Sequence, residues 1–283
     1  MKLSSRNSAL VFLTLNFLLF VAKIAAGLLF GSLAVLSDAF NSLVDIATSI
    51  MIFFAVKIGS QPADEDHQFG HSRAEPIAAF TVSILTFVLA FEVVREAVER
   101  MISGGAPEVS IVPLIVLGGV ILTKLGMFLL ARKFHDSPAL AAVAADAKMD
   151  VVISSFAVVG VAAINFGFPQ FDTYAALAIA AWIAWIGFTI ARDNLAKLMG
   201  RCPDEPKLRE IRAKLNEFKQ QKKILSFRNL RAQLIGSEIQ IAVEVTASKD
   251  LPLAKVHDLE ELIQKKLKSV KNVREVSVHV EPI

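Results

Sequence analysis

Six segments of this chain, at roughly 8–30, 33–57, 76–100, 110–132, 138–163 and 173–197, are apolar over the length of a bilayer-crossing helix. A hydrocarbon core of about 30 Å takes about 20 mostly apolar helical residues, so the first two thirds of the chain are constrained to a bundle of membrane helices. Composition agrees: the 283 residues are 54% hydrophobic with a mean hydropathy of +0.54, and a soluble domain of this length carries more charge. Most breaks between the segments are short, but the link at 58–75, "IGSQPADEDHQFGHSRAE", is long, polar and rich in ionisable groups. Residues 203–283 alternate apolar and charged positions and hold 16 of the 30 lysines and arginines, as a soluble fold would.

The formal charge of +3, without an aromatic-and-basic patch, gives no support to a nucleic-acid partner. Cys202 stands alone, so no intramolecular disulfide framework exists. Lys2 and Arg6 before "ALVFLTLNFLLFVA" resemble a signal peptide, but the apolar character resumes after Lys23 and favours a retained helix.

Cations set the expected orientation. Lys2, Arg6, Lys57, Arg73, Arg132, Lys133, Arg192 and Lys197 flank one side of the spans, whereas residues 24–56, 101–123 and 165–191 contain no Lys or Arg. Both termini are therefore expected in the cytoplasm. Arg95 and Arg100 break the rule, but they lie at helical spacing from Glu92, Glu96 and Glu99, which predicts pairing within the helix.

Polar residues inside the spans carry the chemistry. Asn41 and Asp45 are one helical turn apart on one face, with Asp38 in the same stripe, and the fifth span repeats the pattern with Asp146 and Asp150. A carboxylate near the bilayer centre costs several kcal/mol, so such residues are rarely incidental. A buried ion pair, with Lys148 as partner, would explain one such acid but not two i,i+4 pairs in separate spans. Face to face, the two pairs offer one amide oxygen and up to six carboxylate oxygens, with a formal charge near −3. A divalent cation relieves that repulsion. Small residues at Ala142, Ala144, Ala145 and Ala147 would let the helices approach closely.

Six spans, these paired motifs, the link "PADEDHQFGHSRAE" and a small α/β tail together resemble the cation diffusion facilitators, divalent metal cation/proton antiporters, across essentially the whole chain. The resemblance implies an α-helical membrane protein with six transmembrane helices and a C-terminal cytoplasmic α+β domain (αββαβ, ferredoxin-like). Its divisions would be residues 1–202 for transport and 203–283 for dimerisation and regulation. It implies a homodimer, not an enzyme, that exports divalent metal from the cytoplasm against incoming protons, with Asn41, Asp45, Asp146 and Asp150 as the transport site. No prosthetic group is implied; the metal is cargo. The expected location is integral and multi-pass in the cell (inner) membrane.

Zinc transporters of the family usually place His in at least one of the two pairs, and here neither contains one. Carboxylate and amide oxygens suit manganese, so the set resembles the manganese branch, with Fe(II), Co(II), Cd(II) and Zn(II) open alternatives. Asp38 or a water would raise the ligand count toward the six that manganese favours. Without a histidine, protons must be taken by the clustered carboxylates, whose mutual repulsion favours uptake.

In the link, Asp64, His67 and His71 match positions that bind a second metal in some relatives, and two imidazoles with a carboxylate can hold zinc. A solvated acidic loop is the competing reading. The tail is predicted as helix 205–219, strands 224–233 and 238–247, helix 253–269 and strand 273–281, with antiparallel strands. His257, His279 and Glu281 form a weaker candidate site there, since the positions where relatives carry further histidines align with Phe227 and Ala242. An intramembrane aspartyl protease is disfavoured because no Gly-x-Gly-Asp precedes Asp146 or Asp150, and no P-loop supports an ATP-driven pump. A non-transporting metal sensor or assembly scaffold on the same fold is the alternative.

Overall fold

The computed structural model describes the backbone of residues 5–104, 107–108, 110–132 and 138–283, with side chains in these ranges except 5–13, 52 and 131–145. The first part folds as six helices: α1 (Ser5–Phe30), α2 (Leu33–Gly59), α3 (Ala74–Ser103), α4 (Val112–Arg132), α5 (Pro138–Asn165) and α6 (Gln170–Leu198). Five of them contain stretches long and apolar enough to cross a membrane; the described part of α1, Thr14–Phe30, is a shorter apolar stretch. The chain is an integral membrane protein. Of the cations that set the expected orientation, Lys2 and Lys133 lie outside the described residues, as do the side chains of Arg6 and Arg132.

By contacts the chain divides into two compact units, Met1–Met51 with Thr81–Ala191, and Ile52–Phe80 with Arg192–Ile283. One core runs through the first unit, drawing Ala26, Val35, Val93, Leu117, Ala157 and Ile179 from the six helices in turn. Large apolar side chains such as Leu28, Phe91, Leu122 and Trp185 point outward, as a surface solvated by lipid tails permits. Close approach is set by small residues. A Cβ on Gly160 would stand 2.8 Å from Ala175 Cβ and 3.3 Å from Ala34 Cβ, so α5 meets α6 and α2 here because the glycine has none. Ala147 is also buried, while Ala142, Ala144 and Ala145 lie outside the described side chains.

The start of α2 is held by a residue far away in the chain. Buried Asp172, in the first turn of α6, accepts from Leu33 N (2.7 Å) and from Ser32 Oγ (2.6 Å). Backbone donors at a helix start have no partner within the helix, and a carboxylate meets both that need and the positive end of the helix dipole. Arg100 donates to the Gly31 carbonyl (2.5 Å) and lies 3.3 Å from Glu96, while Arg95 pairs with Glu92 and Glu99. The pairing within α3 expected for both arginines is present.

In the second unit the tail forms α7 (Glu205–Gln220), β1 (Ser226–Ile235), β2 (Glu238–Ala247), α8 (Leu253–Lys268) and β3 (Val273–Pro282), with sheet order β1-β2-β3. The element order matches the sequence reading, but the strand directions correct it. β1 and β2 are antiparallel, whereas β2 and β3 are parallel. The reason is the connection: a tight turn at Gly236 reverses the chain between β1 and β2, while α8 carries it back over the sheet before β3, as parallel neighbours require. Ile211, Leu215, Ile263 and Leu267 from the helices pack on Ile241, Val243 and Val276 of the sheet. This core belongs to the tail alone.

Candidate metal centre

Three carboxylates of the first unit converge. Asp45 of α2 and Asp146 and Asp150 of α5 each present an oxygen within 4.8 Å of the others. The i,i+4 spacing in α5 puts its two acids on one face, and the facing helix supplies the third. Asn41 bridges them: its Nδ2 donates to Asp150 Oδ1 (3.1 Å) and to Asp45 Oδ2 (3.5 Å). Asn41 and Asp150 are buried, while Asp45 and Asp146 are partly exposed. All four residues singled out in the sequence are therefore neighbours. Their donor atoms are hard oxygens, the class that suits manganese and magnesium better than imidazole or thiolate does.

Asp38 lies in the same stripe of α2 but has other partners. Its Oδ1 accepts from Lys23 Nζ of α1 (2.8 Å) and its Oδ2 from Ser154 Oγ of α5 (2.7 Å), all three residues being buried. Lys23 also donates to Ser42 Oγ (3.1 Å). The accessory role suggested for Asp38 thus meets a side chain whose two oxygens are already engaged. A second lysine is likewise buried against a carboxylate. Lys124 of α4, 3% exposed, forms an ion pair with Asp150. Lys148, the partner considered from sequence, is exposed. The signal that could have found both was in plain view, since Lys23 and Lys124 each interrupt an apolar span.

The link belongs to the second unit and gathers its own cluster. Asp64, His67 and His71 bring ligand atoms within 4.8 Å of one another. His71 Nδ1 donates to the Pro62 carbonyl (3.2 Å), which turns Nε2 toward Asp64 Oδ2 (3.3 Å). Asp64 Oδ1 accepts from the His67 backbone amide (2.6 Å), and this bond, reinforced by both imidazoles, holds its carboxyl below the usual carboxylate range. Gly70, at φ +80°, closes the turn with a bond from its N–H to the His67 carbonyl (2.8 Å).

The tail residues do not assemble in this way. His257 pairs with Glu261 on its own helix (3.5 Å), Glu281 is bound by Arg228, and His279 lies beside Glu244 in the register of β2 and β3. Among the described residues, His257, His279 and Glu281 form no ligand cluster.

Residues 9–199 match the model of the cation efflux transmembrane domain, and residues 203–283 that of the cation efflux protein cytoplasmic domain. The chain belongs to the cation diffusion facilitator family. It is 33% identical over 272 residues to an uncharacterised transporter of Methanocaldococcus jannaschii, covering 94% of each chain. It is also similar to two proteins of Bacillus subtilis. Identity to the manganese efflux system protein MneS is 28% over 281 residues (98% of this chain, 95% of MneS), and to MneP 29% over 288 residues (98% and 96%). Cation diffusion facilitators move divalent metal cations across membranes and are not enzymes, so the oxygen cluster stands in a transporter.

Proposed function

We propose that this protein exports Mn(II) from the cytoplasm in exchange for protons, through a site made by Asn41, Asp45, Asp146 and Asp150. The observation that carries this reading is the meeting of three carboxylates and one amide from α2 and α5, with no imidazole or thiolate among them. Such a set favours a hard, six-coordinate ion, and the similarity to two manganese efflux proteins points the same way. Fe(II), Co(II), Zn(II) and Cd(II) are the lesser candidates, with zinc disfavoured by ligand type rather than by affinity order.

Metal and protons compete for the same carboxylate oxygens. Cytoplasmic loading and outward release then follow if the helices alternate access and protons arriving from outside displace the ion. The distribution of Lys and Arg supports cytoplasmic termini, and the cell (inner) membrane is the location this reading takes with it. Residues 1–202 form the transport domain in this reading, and residues 203–283 join two copies into a homodimer. Asp64, His67 and His71 form a second metal site of the link, whose two imidazoles suit zinc.

The test is Mn(II) flux in sealed proteoliposomes, with wild type beside Asp45→Ala, under an imposed pH gradient. The reading expects gradient-dependent Mn(II) movement that the substitution abolishes while the protein still dimerises. Flux that ignores the gradient removes the proton half, and Mn(II) flux surviving Asp45→Ala removes the site. A sensor or scaffold would show no flux in either protein.

A further inference from the structure

We propose that Lys124 is the tethered counter-cation of the transport site: its ammonium neutralises Asp150 while the site is empty and gives way when a divalent metal enters. This rests on the transport-site reading above and adds to it the residue that keeps the metal exchangeable.

Lys124 sits inside α4, 3% exposed, in a helix whose other described residues are almost all apolar. A lysine placed this way is costly unless a specific partner holds it, and its partner is one of the four site residues. Both oxygens of Asp150 are engaged. One oxygen accepts from Lys124 and the other from Asn41 Nδ2. A metal ion bonded to Asp150 joins a carboxylate that already holds the ammonium, and two cations at one carboxylate repel strongly where water cannot screen them.

Lys23, the other buried lysine among the described residues, provides the contrast. Lys23 is held by both Asp38 and Ser42, and Ser154 occupies the second oxygen of Asp38, so that pair is closed on itself. Lys124 instead reaches directly into the metal cluster. Charge balance fits the same division. Asp38, Asp45, Asp146 and Asp150 against Lys23 and Lys124 leave a formal charge of −2, which one divalent cation cancels. Without Lys124 the cluster would hold a divalent ion with one negative charge to spare and release it reluctantly. A transport site needs binding that is also weak enough to let the ion leave.

The experiment measures Mn(II) affinity by titration calorimetry on the full-length protein in detergent, with His67→Ala and His71→Ala as background so that the link does not contribute. Lys124→Met, which keeps the bulk and removes the charge, is expected to bind Mn(II) about tenfold more tightly and to turn over more slowly in proteoliposomes. Lys124→Arg is expected to stay within about threefold of the background protein, because the charge remains. A merely structural lysine would give the opposite sign, since its loss would loosen the site. Unchanged or weaker binding by Lys124→Met overturns the proposal. Should that variant not fold, Lys124→Gln, which keeps a donor for Asp150 without the charge, is read by the same criterion. Binding that Asp45→Ala abolishes but Lys124→Met leaves unaltered defeats the counter-cation alone; no binding by the background protein defeats the site as well.

Discussion

Lys23 Nζ stands 2.8 Å from Asp38 Oδ1, and both side chains are wholly buried within the helices. Breaking such a pair from one side leaves an uncompensated charge, at a cost of roughly 3–5 kcal/mol. Asp38→Leu should therefore lower the unfolding temperature sharply. Lys23→Met combined with Asp38→Leu should recover most of the loss, because an apolar pair of similar volume has no desolvation penalty. Thermal unfolding of the single and double variants in detergent checks the sign. Equal loss in both would mean that the pair acts through more than its charge.

Asn41 is the one neutral donor group among the four site residues, and its amide faces Asp150 and Asp45. Replacing it with histidine adds a nitrogen ligand of the kind zinc accepts readily. Asn41→His should shift preference toward zinc, read as the ratio of Zn(II) to Mn(II) flux in proteoliposomes. An unchanged ratio would mean that Asn41 does not touch the cargo.

Asp172 reaches the start of α2 from α6, where its partners are Ser32, Leu33, Ala34 and Arg100, none of them a residue of the carboxylate cluster. Asp172→Ala strands the Leu33 amide and the Ser32 hydroxyl in a buried setting, which costs about 1–3 kcal/mol. The expected result is a less stable protein whose Mn(II) affinity is unaltered. Asp172→Asn, which keeps a carbonyl oxygen, should be milder.

In the tail, Asn229 donates to Glu244 Oε2 (2.7 Å), and with Arg228 this bond holds the Glu244 carboxyl below its usual range. A depressed folded-state value means that the stabilisation is present above the unfolded value of about 4.3 and disappears as pH falls through the folded one. Glu244→Gln should therefore weaken residues 203–283 at neutral pH, with the difference from wild type closing in acid. Chemical denaturation at pH 7 and at about pH 3 gives the comparison.

The helices were legible because about 20 apolar residues between polar breaks admit little else, and the two i,i+4 pairs were legible because helical spacing alone puts each on one face. Strand direction in the tail was not. Alternation marks β2 and β3 as strands, but the sense of their pairing follows from α8 crossing between them, a matter of connection rather than composition. Local spacing was silent about the lysines as well: Lys23 is 15 residues from Asp38, and Lys124 is 26 from Asp150. His257 and His279 failed to meet for a related reason. They stand on different elements, α8 and β3, His257 beside Glu261 of its own helix and His279 beside Glu244 of the adjacent strand.

Crystals of the protein soaked in Mn(II), with anomalous differences collected near the manganese edge, test the central assignment most directly. The account predicts a peak bonded to oxygens of Asp45, Asp146 and Asp150, with Asn41 turned to offer its carbonyl oxygen. A peak confined to Asp64, His67 and His71, with the four membrane residues keeping their present hydrogen bonds, would contradict it.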